Sequence, residues 1–145
     1  MESRAIEYAE SLLSRASNKL IEAKEHLEAA KYPESASASQ ECLELSVKAI
    51  FYILKGDFPK DHKFKDEEFE EVLKKIPEDL SYLEVHKLYF YSRLWGSFYT
   101  LMKYGKEEWG LGPEKFIERE EAKLAYKHAD RAYSAATIIR GFLNP

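Results

Sequence analysis

The sequence predicts an all-α fold, an antiparallel up-and-down bundle of about five helices in a single domain spanning residues 1–145. Three observations predict it. Apolar residues recur at spacings of three and four along most of the chain, glycine and proline fall between those stretches, and no stretch reads as a strand. A length of 145 residues suits one domain, and 45% hydrophobic with 33% charged residues is an ordinary globular balance.

The first helix is marked by Ile6, Ala9, Leu13, Ala16, Leu20, Ala23, Leu27 and Ala30, one stripe close to the 3.5-residue repeat of coiled-coil packing. Large side chains alternate with alanine along it, which lets a neighbouring helix approach closely. Tyr32-Pro33 ends it, because proline disfavours a helical residue before it. A second helix runs from about Pro33 to Lys55, with Ala36, Leu43, Val47, Ile50 and Leu54 inward and Gly56 as its C-terminal cap. The segment from Asp57 to His62 reads as a loop. A short helix opens at Asp66-Glu67-Glu68, where acids suit the helix dipole, and buries Phe69, Val72, Leu73 and Ile76 before Pro77.

Ser81 and Glu84 have capping-box spacing, which predicts a fourth helix continuing to about Tyr104. Within it Tyr91, Trp95, Phe98 and Met102 have core spacing. Gly105 to Gly112 reads as a loop, and Gly112-Pro113-Glu114 opens the last helix. Ala122, Ala125, Ala129, Ala132, Ala136, Ile139 and Leu143 again step by three and four.

Charge and composition exclude several function classes. Twenty-two basic against 26 acidic residues leave a net charge of −4, which argues against a general nucleic-acid binder. The single cysteine, Cys42, excludes an intramolecular disulfide and a thiolate zinc cluster, and it reads as a small buried hydrophobe rather than a nucleophile. No apolar leader follows Met1, and no apolar run approaches the roughly 20 residues of a membrane span, so a cytoplasmic location is expected. One glutamine and two asparagines beside abundant Glu and Lys form a thermophile-like signature. There is no phosphate-cradling glycine loop and no His-Glu-x-x-His pattern, so neither a metal nor a cofactor is expected.

The second helix carries a recognisable pattern, Gln40-Glu41-Cys42-Leu43-Glu44-Leu45-Ser46-Val47-Lys48-Ala49, followed by Gly56, Pro59 and His62. Further on come Arg93 and Tyr104-Gly105, then an alanine-rich helix from Glu121 to Phe142. This arrangement resembles the HEPN family of helical bundles over nearly the whole chain. Catalytic HEPN domains cleave RNA without metal, using an Arg followed after four to six residues by a His. Histidine exchanges protons near neutral pH, and arginine holds the phosphate and its developing charge. Arg93 is the natural counterpart of that Arg, but Phe98, Tyr99 and Thr100 stand where the His should fall. Arg119 and His128 are too far apart, and His86 precedes Arg93. The cleavage motif is absent.

The resemblance therefore implies a non-catalytic binding module, a homodimer and companion of a minimal nucleotidyltransferase in a toxin–antitoxin-like pair. The alternatives are an RNA-cleaving enzyme with a displaced His, such as Arg93 with His62, and a nucleotide-binding regulator. Gln40, Glu44 and Lys48 lie in one row that, with Arg93, makes a candidate ligand or partner face. The plainer reading of the row is an i,i+4 ion pair between Glu44 and Lys48 beside a surface amide. His62 reads as an anchor of its loop. Tyr89, Trp95 and Tyr99 are candidate interface aromatics, a surplus beside Arg93 that suits a protein contact or base stacking. Gly96-Ser97 permits close approach of another helix.

Overall fold

The computed structural model describes residues 2–61 and 63–143. They form α1 (Glu2–Glu28), α2 (Tyr32–Lys55), α3 (Asp66–Lys74), α4 (His86–Ser97), α5 (Tyr99–Tyr104) and α6 (Arg119–Leu143). Among them the only β pairing is an isolated bridge between Lys106 and Leu111. Helix α2 lies at the centre and touches each of the other five. The expected all-α bundle is what the chain forms.

Side-chain size places α2 there. Ala9, Ala16 and Ala23 of α1 are fully buried, as are Ser35, Ala36, Cys42, Ser46 and Ala49 of α2 and Ala122, Ala129, Ala132 and Ala136 of α6. Small residues at these positions let the three helices approach closely. Ser35 Oγ donates to the Ala23 carbonyl at 2.7 Å, which ties the first turn of α2 to the α1 backbone. Cys42 Sγ lies 4.0 Å from Ser46 Oγ and 3.9 Å from the Ala129 carbonyl on α6. Burial pushes its thiol up to about 12, against a smaller opposing effect of Ser46, so it stays protonated packing material.

The connections follow from local backbone needs. Beyond α1, Lys31 N–H donates to the His26 carbonyl and Ala30 N–H to the Leu27 carbonyl, a Schellman turn that puts Ala30 at φ 59°. Gly56 closes α2 at φ 84° and donates to the Tyr52 carbonyl. Gly105 sits at φ 69°, and a Cβ there would fall 2.2 Å from the Leu111 carbonyl oxygen, so only glycine fits.

Three expectations are corrected. The Ser81–Glu84 capping box is not formed: Glu78–Leu83 is a 3-10 turn, Glu84 is left-handed at φ 50°, and α4 starts at His86. The turn lets both Leu80 and Val85 reach the core, at 3% and 4% exposure. The fourth helix is broken at Phe98 (φ −103°, ψ 10°), which makes α4 and α5 separate elements. Trp95 and Met102 stay buried across the break, while Phe98 turns outward to 41% exposure despite its core spacing. The last helix starts at Arg119, since Pro113–Lys115 makes only one 3-10 turn. Its first turn is closed by Glu121 Oε1, which accepts from Glu118 N–H at 2.8 Å. No helix among the described residues is long and apolar enough to cross a membrane.

Ala129→Leu would force α6 off α2 and is expected to destabilise the fold by about 1–3 kcal/mol in urea denaturation. The exposed Lys123→Leu on the same helix is expected to stay within about 0.5 kcal/mol of the parent. Equal effects at the two positions would show that the close seam is not what limits stability.

Candidate functional site

The row foreseen on α2 divides between core and surface. Gln40 is only 2% exposed, and its Oε1 has no hydrogen-bond partner. It is a buried amide, not a surface ligand. Glu44 is exposed, yet the structure crowding its carboxyl raises it above the usual range. Hydrogen bonding by Gln40 and the charges of Lys48 and Lys103 oppose that rise, and Glu41 adds to it. Lys48 is half-buried with its ammonium 5.1 Å from the centre of the Phe58 ring. The solvent side of α2 therefore runs through Glu41, Glu44 and Lys48. Beside it Glu41 bridges Lys19 of α1 at 3.1 Å and Lys103 of α5 at 3.6 Å.

Arg93 does not join that row. Its Nη2 donates to the Phe64 carbonyl at 2.9 Å and lies 3.5 Å from Asp66 Oδ1. The guanidinium also packs over Phe64 (4.6 Å) and Tyr89 (4.8 Å), while Tyr89 donates its hydroxyl hydrogen to Asp66. Arg93 is thus a clamp holding the segment before α3 against α4. Phe51 anchors the same aromatic group, with Phe58 and Phe64 at 5.0 and 5.4 Å. Lys48 and Arg93 sit on Phe58 and Phe64 respectively, two rings 6.5 Å apart. His62 lies outside the described residues.

The three interface aromatics also separate. Tyr89 is half-buried and spent on the Phe64–Phe69–Asp66 contacts. Trp95 is 4% exposed and belongs to the core, which corrects its assignment to an interface. Tyr99 is 40% exposed, with the Lys103 ammonium 4.7 Å from its ring centre. Phe90, Phe98 and Tyr104 of the α4–α5 stretch are exposed as well, and nothing lies within 4 Å of a Cβ built on Gly96.

Sequence reasoning set His128 aside with the failed cleavage motif. In the fold it is the centre of a buried polar group. Trp95 Nε1 donates to His128 Nδ1 at 3.0 Å, and the imidazole stacks on Tyr91 at 3.7 Å and 7°. Arg131 Nη1 donates to the Tyr91 hydroxyl at 2.9 Å. Burial, then the charges of Arg131 and Lys127, lower the imidazole to about 4. Its place beside Ala129 in the stripe of α6 was the available signal.

An open cleft of about 550 Å³ lies where the α1–α2 turn, α5 and the Pro113 turn meet. Lys31, Glu34, Ser37, Lys103, Tyr104 and Glu114 line it, and Ser37 Oγ is buried there without a hydrogen-bond partner. A volume of that size suits a small ligand.

Fold and surface together define an all-α helical bundle with an open cleft and exposed aromatic side chains. The sequence model of the HEPN domain matches residues 9–139, and the chain belongs to that family, whose modules are of a nucleotide-binding or RNA-cleaving type. Among solved structures it is similar to TT1696 from Thermus thermophilus, at 19% identity and a TM-score of 0.65. That likeness covers 90% of this chain and 97% of the other, and at this identity it speaks to the shared fold. No curated protein matches the chain.

The His128 environment sets a pH dependence. The unfolded chain takes up this proton near pH 6.5, the folded chain only near 4. Between those values the unfolded state binds more protons, so stability falls as the pH drops through the window. The loss attributable to His128 is on the order of 3 kcal/mol. In urea denaturation at pH 7 and pH 4, His128→Phe is expected to lose correspondingly less on acidification than the parent. Equal losses would contradict a neutral buried imidazole.

Proposed function

We propose that this chain is a non-catalytic HEPN binding module, a homodimer that serves as companion to a minimal nucleotidyltransferase in a toxin–antitoxin-like pair. The observation that carries the reading is the fate of Arg93. In an RNA-cleaving member the corresponding guanidinium must be free to hold a phosphate. Here it is committed to a backbone carbonyl, a carboxylate and two rings. The exposed edge of Phe90, Phe98, Tyr99 and Tyr104 supports a protein contact. The open space at Gly96 leaves room for another helix there.

A nucleotide-binding regulator is the second reading, and the cleft beside Tyr104 favours it. An exposed ring and two lysines are groups that receive a base and its phosphates.

The test is affinity capture of the tagged chain from a lysate of its own organism, with light-scattering chromatography of the purified protein. A stoichiometric nucleotidyltransferase and a dimer that Phe90→Ser with Phe98→Ser dissociates are expected. Recovery of the bait alone, as a monomer, would contradict the partner reading. Saturable heat on titration with a nucleoside triphosphate would then favour the cleft, and Tyr104→Ala should weaken it by about tenfold.

A further inference from the structure

The cleft of about 550 Å³ between the α1–α2 turn, α5 and the Pro113 turn holds charges of both signs that do not neutralise one another. Lys31 and Glu34 stand on one wall, Lys103 on the second and Glu114 on the third. Among the described residues no ion pair joins any two of these four. Lys103 is partly shared with Glu41, at 3.6 Å, and with the Tyr99 ring. Lys31, Glu34 and Glu114 make no side-chain hydrogen bond or ion pair among the described residues. Between the charges lie apolar groups: Met102, buried, and the ring of Tyr104, 70% exposed.

The walls are fixed by backbone geometry. Lys31 follows the left-handed Ala30 of the Schellman turn, and Pro33 stiffens the first turn of α2. Gly105 lets the chain from Leu111 to Pro113 lie against the end of α5, where a Cβ would strike the Leu111 carbonyl and the Pro113 nitrogen. A Cβ on Gly112 would likewise strike the Glu114 carboxylate, so glycine leaves room for that group. A cleft formed in advance loses little ordering entropy when a ligand enters.

Charge decides the class of ligand. Two ammoniums and two carboxylates leave the cleft without net charge. A nucleoside triphosphate brings several negative charges against Glu34 and Glu114, and a simple cation meets Lys31 and Lys103. A molecule carrying one group of each sign finds a partner for both.

We propose that the cleft binds a zwitterionic α-amino acid with an apolar side chain. Its carboxylate faces Lys31 and Lys103, its ammonium faces Glu34 and Glu114, and its side chain lies between Met102 and Tyr104. The site is independent of the partner reading. It shares the cleft with the nucleotide reading and gives it a different ligand, so the nucleotide becomes an outcome of the test.

The experiment is a titration of the full chain with L-phenylalanine, followed by NMR at the Met102 methyl, one of only two methionine methyls in the chain. A phenyl ring entering beside the thioether shifts that resonance, and a saturable shift at millimolar concentration is expected. N-acetyl-L-phenylalanine lacks the ammonium, L-phenylalaninamide lacks the carboxylate and L-serine lacks the apolar side chain. Each is expected to bind about tenfold more weakly. The double variant Glu34→Gln with Glu114→Gln is expected to weaken phenylalanine by about the same factor, and to strengthen the binding of ATP. Equal affinity for phenylalanine and any of the three analogues would overturn the proposal. Saturable binding of ATP with no response to phenylalanine would overturn it and support the nucleotide reading, while no response to either ligand would overturn both.

Discussion

Three backbones meet where Ala16 of α1, Cys42 of α2 and Ala129 of α6 bury their side chains against one another. The contact leaves no room for anything larger, and the thiol reaches within 3.9 Å of a main-chain carbonyl on the neighbouring helix. Much of the remaining architecture follows from this approach. Along the same three helices Leu12, Leu43, Ile50 and Ile139 fill the core between the small residues, and the aromatic side chains collect at two further places. Phe51 collects Phe58, Phe64 and Phe69 near the end of α2, and Trp95, Tyr91 and His128 pack between α4 and α6. The chemistry-bearing groups therefore lie around the tight core rather than within it.

That arrangement separates groups that a sequence places side by side. Arg93 and Lys48 each settle on an aromatic ring, and cation–π contacts of this kind contribute about 0.5–1 kcal/mol at partly exposed sites. For Arg93 the hydrogen bond to the Phe64 carbonyl adds to the stack and fixes the guanidinium as a structural clamp. The arginine is thereby engaged with the segment that precedes α3. Exposed aromatics of α4 and α5 and the cleft near Tyr104 remain at the surface, while His128 is buried between α4 and α6.

The helical stripes were legible because spacing of three and four is a direct record of which face is covered. Ala16, Ala23, Ala129 and Ala136 fall where the periodicity puts them, and Gly56 ends α2 as expected. Periodicity also misled. Phe98 keeps the spacing of Trp95 and Met102, but the backbone breaks at that residue and turns it outward. Ser81 and Glu84 have the spacing of a cap, whereas burial of Leu80 and Val85 dictates a tighter turn between them. Gln40 shares a row with Glu44 and Lys48, yet the helix packed beside it covers the amide and leaves the other two at the surface or half-buried. His128 could not be found by motif spacing, since its partners Trp95 and Tyr91 are more than thirty residues away and only the packing of α4 on α6 joins them. Family membership was legible because the motif on α2 and the order of elements are both carried by local sequence.

The most direct test is an RNA-cleavage assay in chelator with the full chain and single-stranded RNA, run beside Arg93→Gln with the fold of both proteins verified by circular dichroism. The account predicts intact RNA with either protein, with Arg93→Gln differing only in a lower melting temperature from loss of the clamp on Phe64. Cleavage by the parent that disappears in a folded Arg93→Gln protein would contradict it, and would return Arg93 from a structural clamp to a catalytic residue.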